Sequence, residues 1–540
     1  MAVLVGLLMP ILIGFAGFSA DIGHWYLTGN REQKAADAAA LAGAIYLPND
    51  PAKAFSVARD VARENGYRDD GETLVTIVQE TNPVQLRVTI RQEVSNYFTP
   101  LFGIPTTTIT RTGVGEFQGP VPMGSPVNTF GNEPLGAGEP KWSTNSGQPQ
   151  FWGVIAGPAV AKVQGDAIQS KPCTSSDDGC VGGVNTDYNT SGYFYSVTVP
   201  PGGAGKRLQI EVFDPVFAEV GNTCTSNLGG ATSSRNDYVS DESERYRSGN
   251  GTFCTGDTFY GGSTNPTTTS FVVRAPSSTS WDPLSAPVIR DGANCQPTQY
   301  RGYEGALASR LNGPTSDPVN DHLQRNFRRW SRLCTIPNAE EGDYIIQVRT
   351  NVAWGSDAAG PGNTSVGDGQ NRFALRAGFV NTAGAPSGSQ AGVRIAGISA
   401  MAMYANASGA TTEFHMARVM SGSEGRTLVI DIFDPSDAAG TGTLRILPPS
   451  DSGLSTFPGC TGAGPVTGSL SNCTVPTNNR DFQGKWQTIR VPIPAGYRCN
   501  DTDPNGCWIK IRYSFAGGTS VTDTTTWRAT MEGDPVRLVE

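Results

Sequence analysis

The residues of this sequence best suited to ligand chemistry are aspartates, and two of them lie in one short loop. The segment DTDPNG at 501–506 has the D-x-D-x-N-G spacing of a calcium-binding loop. The twelfth position of that motif is Arg512 instead of a bidentate glutamate, and Cys499 and Cys507 bracket the loop. A turn closed by a disulfide is therefore the alternative to calcium binding at Asp501 and Asp503.

Two more aspartates occupy matching places in an internal repeat. The segment FYSVTVPPGGAGKRLQIEVFDP at 194–215 aligns without a gap to FHMARVMSGSEGRTLVIDIFDP at 414–435, with nine of 22 positions identical. Asp214 and Asp434 end the matching strands directly before a proline. Each carboxylate could bind calcium, and the alternative is an aspartate turn before proline. No other cofactor is expected.

Catalytic motifs are absent from the sequence. The histidines are His24, His322 and His415, and neither H-E-x-x-H nor G-x-S-x-G occurs. We therefore expect a protein that is not an enzyme. The alternative is a membrane-tethered extracellular glycan-binding protein or hydrolase, whose paired carboxylates would come from separated strands.

Charge and cysteine content indicate an exported protein that does not bind nucleic acid. The formal net charge is -9, whereas nucleic-acid binding depends on clustered Lys and Arg. The ten cysteines all lie beyond residue 170, and an even number in an exported chain predicts disulfides. Proximity in sequence suggests the pairs Cys173–Cys180, Cys224–Cys254, Cys295–Cys334, Cys460–Cys473 and Cys499–Cys507.

One basic segment could bind an anionic polymer or a lipid surface, and a surface glycan is a further candidate partner of the chain. If residues 320–333 are helical, four arginines form a stripe opposite Leu323, Phe327 and Trp330; they are Arg325, Arg328, Arg329 and Arg332. A solvated face paired with local acids is the alternative.

Period-2 strands dominate the C-terminal part of the chain. Leu208, Ile210 and Val212 alternate with polar residues, which places one face of a strand in a core. Residues 343–350 and 371–378 further correspond to 507–514 and 525–532. The sequence thus predicts two related β-sandwich domains at 149–381 and 391–540, with Leu208/Leu428 and Phe213/Phe433 equivalent. The order of these segments resembles the jelly-roll-like sandwiches of bacterial secreted proteins.

The N-terminal part predicts a smaller α+β unit over residues 1–117. A helix is expected over 51–65, and strands over 73–79, 84–91 and 106–117. Five apolar residues between the last two strands have helical spacing and are expected to cap the sheet; they are Val94, Tyr97, Phe98, Leu101 and Phe102. Residues 118–148 lack periodicity and predict a linker. The fold class is mainly β with an N-terminal α+β unit.

A long helix is expected to begin the chain in a membrane. Ala2 to Ala20 contains no charge, and 19 residues at 1.5 Å each reach roughly 28 Å, close to the hydrocarbon thickness of a bilayer. Asp21, Trp25 and Tyr26 mark the exit. A cleavable signal peptide is the alternative, although no basic segment precedes the apolar run. Farther on, helical spacing predicts a packing face of small residues: Ala35, Ala38, Ala39, Ala42 and Gly43.

The segment from Gly14 to Ala44 resembles the N-terminal region of TadG-like and TadE-like proteins of Flp-type (tight-adherence) pilus assembly. The resemblance rests on the apolar helix, the D-I-G-x-W exit at 21–25 and the run QKAADAAALAGA at 33–44. The region from residue 391 onward resembles the C-terminal part of actinobacterial TadG-related proteins. The resemblance implies a single-pass protein of the bacterial membrane, with its bulk outside the cell and pilin-like or pilus-assembly partners. We therefore expect a non-enzymatic protein acting in pilus assembly or surface adhesion.

Overall fold

A computed structural model describes most of the 540 residues. It describes residues 2–539 except 48–49, 81–83, 118, 136–138, 144–148, 219–256, 261–266, 278–281, 304–306, 312, 351–366, 408, 436–439, 516–520 and 534–535. The chain divides into two compact units. The first comprises Met1–Gly119, Ser277–Ser285 and Asp534–Glu540, and the second comprises Pro120–Pro276 and Ala286–Gly533.

The first unit packs two helices on one sheet. Helix α1 runs over Ala2–Ala44 and α2 over Pro51–Glu64. Asp50 caps α2 by accepting a hydrogen bond from the backbone N–H of Lys53, and Pro51 occupies the first helical position, as the sequence predicts. When the described residues are searched, no helix combines the length and apolar character needed to span a bilayer.

The sheet of the first unit is antiparallel. Its spatial order is β1 (Thr73–Gln79), β2 (Gln85–Ser95), β3 (Thr106–Phe117) and β28 (Val536–Leu538). The first and third strands confirm the predicted ones, whereas β2 extends to Ser95 and so contains Val94, a residue predicted to cap the sheet. The fourth lies at the C-terminal end of the chain, so the predicted domain 391–540 gives its last strand to the N-terminal sheet.

The second unit consists of two large antiparallel sheets, a small hairpin and short helices. The helices are α3 (Leu307–Leu311), α4 (Pro318–Asn326) and α5 (Asn479–Phe482). The strands are, in chain order, β4 (Pro122–Gly124), β5 (Thr129–Phe130), β6 (Phe151–Ala156), β7 (Cys180–Val181), β8 (Val184–Asn185), β9 (Tyr193–Val199), β10 (Leu208–Phe213), β11 (Thr258–Phe259), β12 (Thr269–Arg274), β13 (Thr298–Tyr300), β14 (Trp330–Ile336), β15 (Gly342–Thr350), β16 (Gly369–Phe379), β17 (Arg394–Ile398), β18 (Ala400–Ala407), β19 (Thr411–Arg418), β20 (Thr427–Phe433), β21 (Gly442–Leu447), β22 (Thr461–Ala463), β23 (Gly468–Ser469), β24 (Thr474–Thr477), β25 (Trp486–Pro492), β26 (Trp508–Ser514) and β27 (Val521–Met531).

Both large sheets contain strands from both halves of the second unit, that is, from the regions around the first and the second copy of the sequence repeat. Each region is called here a repeat. One has the order β14-β10-β16-β6-β18-β27-β20-β25-β22-β23, with β5 and β11 also paired to β16. The other has the order β13-β12-β15-β9-β17-β4-β19-β26-β21-β24. Aromatic side chains join the two layers: Tyr195 of β9 lies 6.1 Å from Phe373 of β16, and Phe414 of β19 lies 6.0 Å from Trp527 of β27. The buried residues form one continuous core cluster.

The two repeats occupy equivalent places in the first large sheet. Phe213 pairs with Trp330 and Phe433 pairs with Trp486, at ring distances of 5.4 and 5.1 Å. Leu208 and Leu428 begin the matching strands. The equivalence predicted for these two leucines and two phenylalanines therefore agrees with the strand pairing.

The predicted matches of 343–350 with 507–514 and of 371–378 with 525–532 agree with the strand pairing only after a shift of register. Val197 pairs with Tyr344, and the equivalent Ala417 pairs with Ile509, which moves the predicted match of 343–350 by one residue. A bulge at 415–417 in β19 accounts for this shift. Phe213 pairs with Ala374 and Phe433 with Thr526, which moves the match of 371–378 by two residues.

Short strands at the middle of the second large sheet are exchanged between the repeats. Strand β4 precedes the first repeat but pairs with β19 of the second, and β17 precedes the second repeat but pairs with β9 of the first. Strands β6 and β18 also pair directly. The predicted domains 149–381 and 391–540 therefore share their sheets and their core within one compact unit.

The predicted linker 118–148 needs correction. Residues 121–134 are buried, apart from the half-buried Pro122, and include β4 and β5. Glu133, Glu139 and Trp142 surround the buried guanidinium of Arg376. A stretch without periodicity can still be structural when its polar groups are paired inside a core.

The predicted arginine stripe is wrong, because the helix ends too early. Helix α4 stops at Asn326, Arg328 is buried with φ of 51°, and Arg332 lies in strand β14. Arg325 remains on the helix and pairs with Asp321. The four side chains therefore do not form one basic surface.

Candidate functional site

A set of polar contacts in the first unit holds α1 to the connection between β2 and β3. The carboxylate of Asp21 is buried and accepts hydrogen bonds from the backbone N–H groups of Tyr97, Phe98 and Thr99, at 2.7, 3.0 and 2.8 Å. Burial raises the pKa of Asp21, but the hydrogen bonds outweigh burial and hold it below its ordinary value. Asp21 therefore acts as a charged clamp on this connection.

Neighbouring side chains strengthen the clamp. The indole N–H of Trp25 donates to Asn96 Oδ1 at 2.7 Å, and Asn96 Nδ2 donates to the carbonyl of Ile104 at 3.1 Å. The rings of His24 and Tyr97 lie 4.9 Å apart. The sequence predicted Asp21 and Trp25 only as markers of a membrane exit. Their role in holding residues 96–104 depends on a contact 71 or more positions away in the chain.

The clamped residues 97–104, called here the apolar loop, expose large hydrophobic side chains. A 3₁₀ helix spans Thr99–Phe102 and ends at Gly103, whose φ is 80°. The exposed fractions are 82% for Leu101, 74% for Phe102, 67% for Tyr97 and 51% for Ile104. The prediction that Leu101 and Phe102 cap the sheet is wrong, since their side chains point into solvent.

The small residues of α1 face the sheet and α2 of the same chain. Ala35, Ala39 and Gly43 of the predicted packing face are buried, whereas Ala38 and Ala42 are only half-buried. The buried stripe instead includes Ala36, Ala40 and Ala44. The face is therefore rotated from the predicted one.

Glycines permit this close approach. A Cβ at Gly115 of β3 would lie 2.4 Å from the carbonyl oxygen of Ala40, and one at Gly43 would lie 2.7 Å from that of Ala54. Contacts this short exclude a side chain because the obstructing atoms are backbone. The stripe is thus occupied by the chain's own sheet and α2.

One acid lies at the edge of this packed face. Glu32 is fully buried, and neither carboxylate oxygen has a hydrogen-bond partner among the described residues. Burial raises the pKa of Glu32 to about 7, while the nearby charge of Arg111 acts in the opposite direction. Its titration falls near neutral pH.

Asp214 and Asp434 form equivalent turns. Both are buried with φ near 50°, at 51° and 54°. Asp214 Oδ1 accepts from the backbone N–H of Arg328, and Asp434 Oδ1 accepts from that of Gly484. The donors lie 114 and 50 positions away in the chain, so these hydrogen bonds are tertiary contacts and differ from the local bond of an aspartate turn. Four strands separate β10 from β20, so the two carboxylates lie in different places.

Asp501 and Asp503 lie in a loop that an arginine engages. Nη2 of Arg418 donates to the carbonyl oxygens of Asp501 and Asp503, at 2.9 and 3.0 Å. The side chain of Asp501 accepts from the N–H of Ser421, and that of Asp503 from Asn505. A cation thus already lies against this loop. Calcium binding at Asp214, Asp434, Asp501 and Asp503 stays a prediction.

Four of the predicted cysteine pairs are disulfides in the structure: Cys173–Cys180, Cys295–Cys334, Cys460–Cys473 and Cys499–Cys507. Cys224 and Cys254 lie outside the described residues. Asp451 lies beside Cys499 and Cys507, but both sulfurs belong to the disulfide. Each bridge joins residues of one repeat.

The histidines of the second unit lie in separate environments. His322 Nδ1 lies 2.6 Å from the hydroxyl of Tyr303. Burial and, to a smaller extent, the nearby charge of Lys510 together lower the pKa of His415 to about 4. His415 lies in β19, and His322 lies in α4. The two do not share one site.

Comparison with known proteins identifies a family that matches the N-terminal segment. Residues 1–45 match the family model of the putative Flp pilus-assembly TadE/G-like proteins, which confirms the resemblance predicted for this segment. The match coincides with α1. It suggests a role related to the Tad pilus, with a location in the bacterial envelope and pilus-related partners. The actinobacterial subtype stays a prediction.

No curated protein matches the chain. One solved structure that matches is the N-terminal tandem CBM22 domain of Xyn10C from Paenibacillus barcinonensis, at 9% sequence identity and a TM-score of 0.15. The alignment covers 61% of this chain and 79% of that one. A TM-score this low does not indicate a shared fold.

Proposed function

We propose that this chain is a non-enzymatic protein of a Tad/Flp-type pilus system, anchored in the bacterial membrane by the apolar half of α1. The second unit would face outward and act in pilus assembly or surface contact. The observation that carries the proposal is the TadE/G-like match at residues 1–45, which covers the whole of α1.

The exposure of α1 supports the anchor. Described side chains of the uncharged run are open to solvent; they include Leu8, Met9, Leu12, Ile13, Phe15 and Phe18. Exposed apolar surface of this extent is costly in water and favourable in lipid. The four disulfides support an outward location, because such bridges persist in oxidising compartments.

Fractionation of the bacterium that makes the protein tests the anchor. An epitope inserted after Gly388, in an exposed connection of the second unit, should be found in the membrane fraction after alkaline extraction. It should also be digested by protease added to wall-stripped cells. The double variant Leu12→Lys/Phe15→Lys should leave the membrane fraction. Leu74→Lys, which changes an exposed apolar residue of the sheet, should remain.

Deletion of the gene tests the pilus role. The deleted strain should lose pili or surface attachment, and the wild-type chain should restore them. Recovery of the tagged chain from cytosol, or normal piliation and attachment in the deleted strain, would contradict the proposed function.

A further inference from the structure

Hydrogen bonds hold the backbone of the apolar loop at several points, with its large hydrophobic side chains on the surface. Three backbone N–H groups are fixed by Asp21, and the hydroxyl of Thr99 donates to the carbonyl of Ile104 at 3.1 Å. The backbone N–H of Asn96 also donates a hydrogen bond to the carbonyl of Pro105, and this bond closes the base of the loop. Such a loop cannot bury Leu101 and Phe102 by collapsing onto itself.

The loop lies beside the apolar half of α1. A Cβ at Gly17 would lie 2.4 Å from the ring of Phe98, so this ring contacts α1 four residues before Asp21. At 1.5 Å per residue, Phe98 reaches about 6 Å beyond Asp21 toward the apolar end. That distance matches the depth of about 5–10 Å at which interfacial segments enter a bilayer.

The composition of the loop suits the same position. From residue 94 to residue 110 the sequence contains no charged side chain. Tyr97, His24 and Trp25 form a group of aromatic side chains with polar atoms, within about one helical turn of Asp21. Aromatic side chains with one polar end favour the boundary between headgroups and acyl chains.

We propose that the apolar loop is a second membrane contact, which inserts Leu101, Phe102 and Ile104 into the acyl boundary of the leaflet from which α1 emerges. This inference rests on the proposed anchor, because the loop reaches lipid only if α1 enters the membrane. Two contacts on one side of Asp21 would restrict the tilt and rotation of α1. The first unit would then leave the membrane in one fixed orientation.

A lipid occupant is favoured over a protein partner for a positional reason. The exposed residues of the loop continue an apolar surface that already belongs to the proposed anchor. A partner protein would need to reach the same depth beside α1. A second copy of the chain, packed through this surface, is the outcome that would contradict the proposal.

Site-directed fluorescence on the full chain tests the proposal. The variant Leu101→Cys carries an environment-sensitive NBD label and is reconstituted into vesicles of phosphatidylcholine and phosphatidylglycerol. The matched control is labelled Val78→Cys. Val78 is also apolar and exposed, but β1 pairs there with β2 next to Leu86, which packs on Gly43. Gly43 lies 22 residues beyond Asp21 along α1, a distance of roughly 33 Å. The wild-type chain treated with the same reagent measures labelling of other cysteines.

The label at position 101 should shift its emission to the blue and lose most of its fluorescence to a lipid quencher carried near the headgroup. The label at position 78 should keep nearly all of its fluorescence. If the chain floats with vesicles but position 101 is not quenched, the loop proposal fails and the anchor stands. A blue shift without lipid quenching, which grows with protein density, would indicate a second copy and also overturn it. If the chain does not float, the proposed anchor fails first.

Discussion

Arg376 of β16 and Glu211 of β10 lie directly opposite each other in an antiparallel pair and form an ion pair of 2.6 Å. Only 4% of the Arg376 side chain and 10% of the Glu211 side chain are exposed. The guanidinium also lies over the rings of Trp142 and Trp330, at 4.4 and 4.1 Å from their centroids. In the second repeat, the equivalent residues Arg528 and Asp431 also lie opposite each other in paired strands. The guanidinium of Arg528 lies over the ring of Trp486 at 4.4 Å.

The two arginines should therefore differ in their contribution to stability. Arg376→Met should lower the free energy of unfolding by roughly 3–5 kcal/mol, because it leaves buried carboxylates without a counter-charge. Arg528→Met should cost about 1 kcal/mol or less, since its side chain is 30% exposed and its pair with Asp187 is screened by water. Denaturant unfolding of the two variants measures the difference. Equal losses of unfolding free energy in the two variants would show that the burial of Arg376 does not increase its contribution to stability.

Close packing of α1 on the sheet should depend on Gly115. Gly115→Ala should destabilise the first unit by roughly 1–3 kcal/mol, because the new Cβ would collide with the backbone of Ala40. The matched control is Gly23→Ala in α1, where nothing lies within 4 Å of the added carbon. That change should stabilise the helix by up to about 1 kcal/mol. Thermal unfolding in detergent compares them, and a neutral Gly115→Ala would show that the helix can move away.

The stability of the first unit should fall between about pH 4.5 and pH 7 because of Glu32. Its pKa is raised from 4.5 to about 7, so the folded state binds the proton more tightly than the unfolded chain does. The neutral form is present in both states below pH 4.5, and the cost of burying the charge is complete above pH 7. Arg111 and Tyr67 are the charged and titratable groups coupled to Glu32.

Glu32→Gln should remove this pH dependence. The variant should unfold at nearly the wild-type temperature at pH 4 and at a temperature higher by roughly 2 °C or more at pH 8. Calorimetry at the two pH values measures this, with the exposed Glu64→Gln as the control. A variant that is less stable than wild type at pH 8 would mean that Glu32 has a stabilising partner.

The second unit should remain assembled after a cut between its repeats. A protease site inserted after Gly388 allows cleavage in an exposed connection. The halves should still co-elute in size-exclusion chromatography, because β6 pairs with β18 and the strands β4 and β17 are exchanged. A variant ending at Gly533 removes β28, whose pairing with β3 would otherwise hold the fragments together. Separation of these halves without denaturant would indicate independent domains.

Local patterns in the sequence were sufficient for much of this protein. The first three strands of the N-terminal sheet depend on residues close together in the chain, as do α2 with its Asp50 cap and the repeat at 194–215 and 414–435. The TadE/G-like segment could also be recognised from sequence, because its motif is continuous. Cysteine spacing suggested four bridges that the structure contains, since each closes a short loop or joins neighbouring elements.

Only the tertiary structure decided which of these elements share a core. The exchange of β4 and β17 and the return of β28 to β3 pair strands far apart in sequence, and no local pattern encodes the partner of a strand edge. The same holds for Asp21. Its carboxylate is stabilised by backbone N–H groups, which every residue type except proline supplies, so the sequence around Tyr97 to Thr99 carries no signal for the contact.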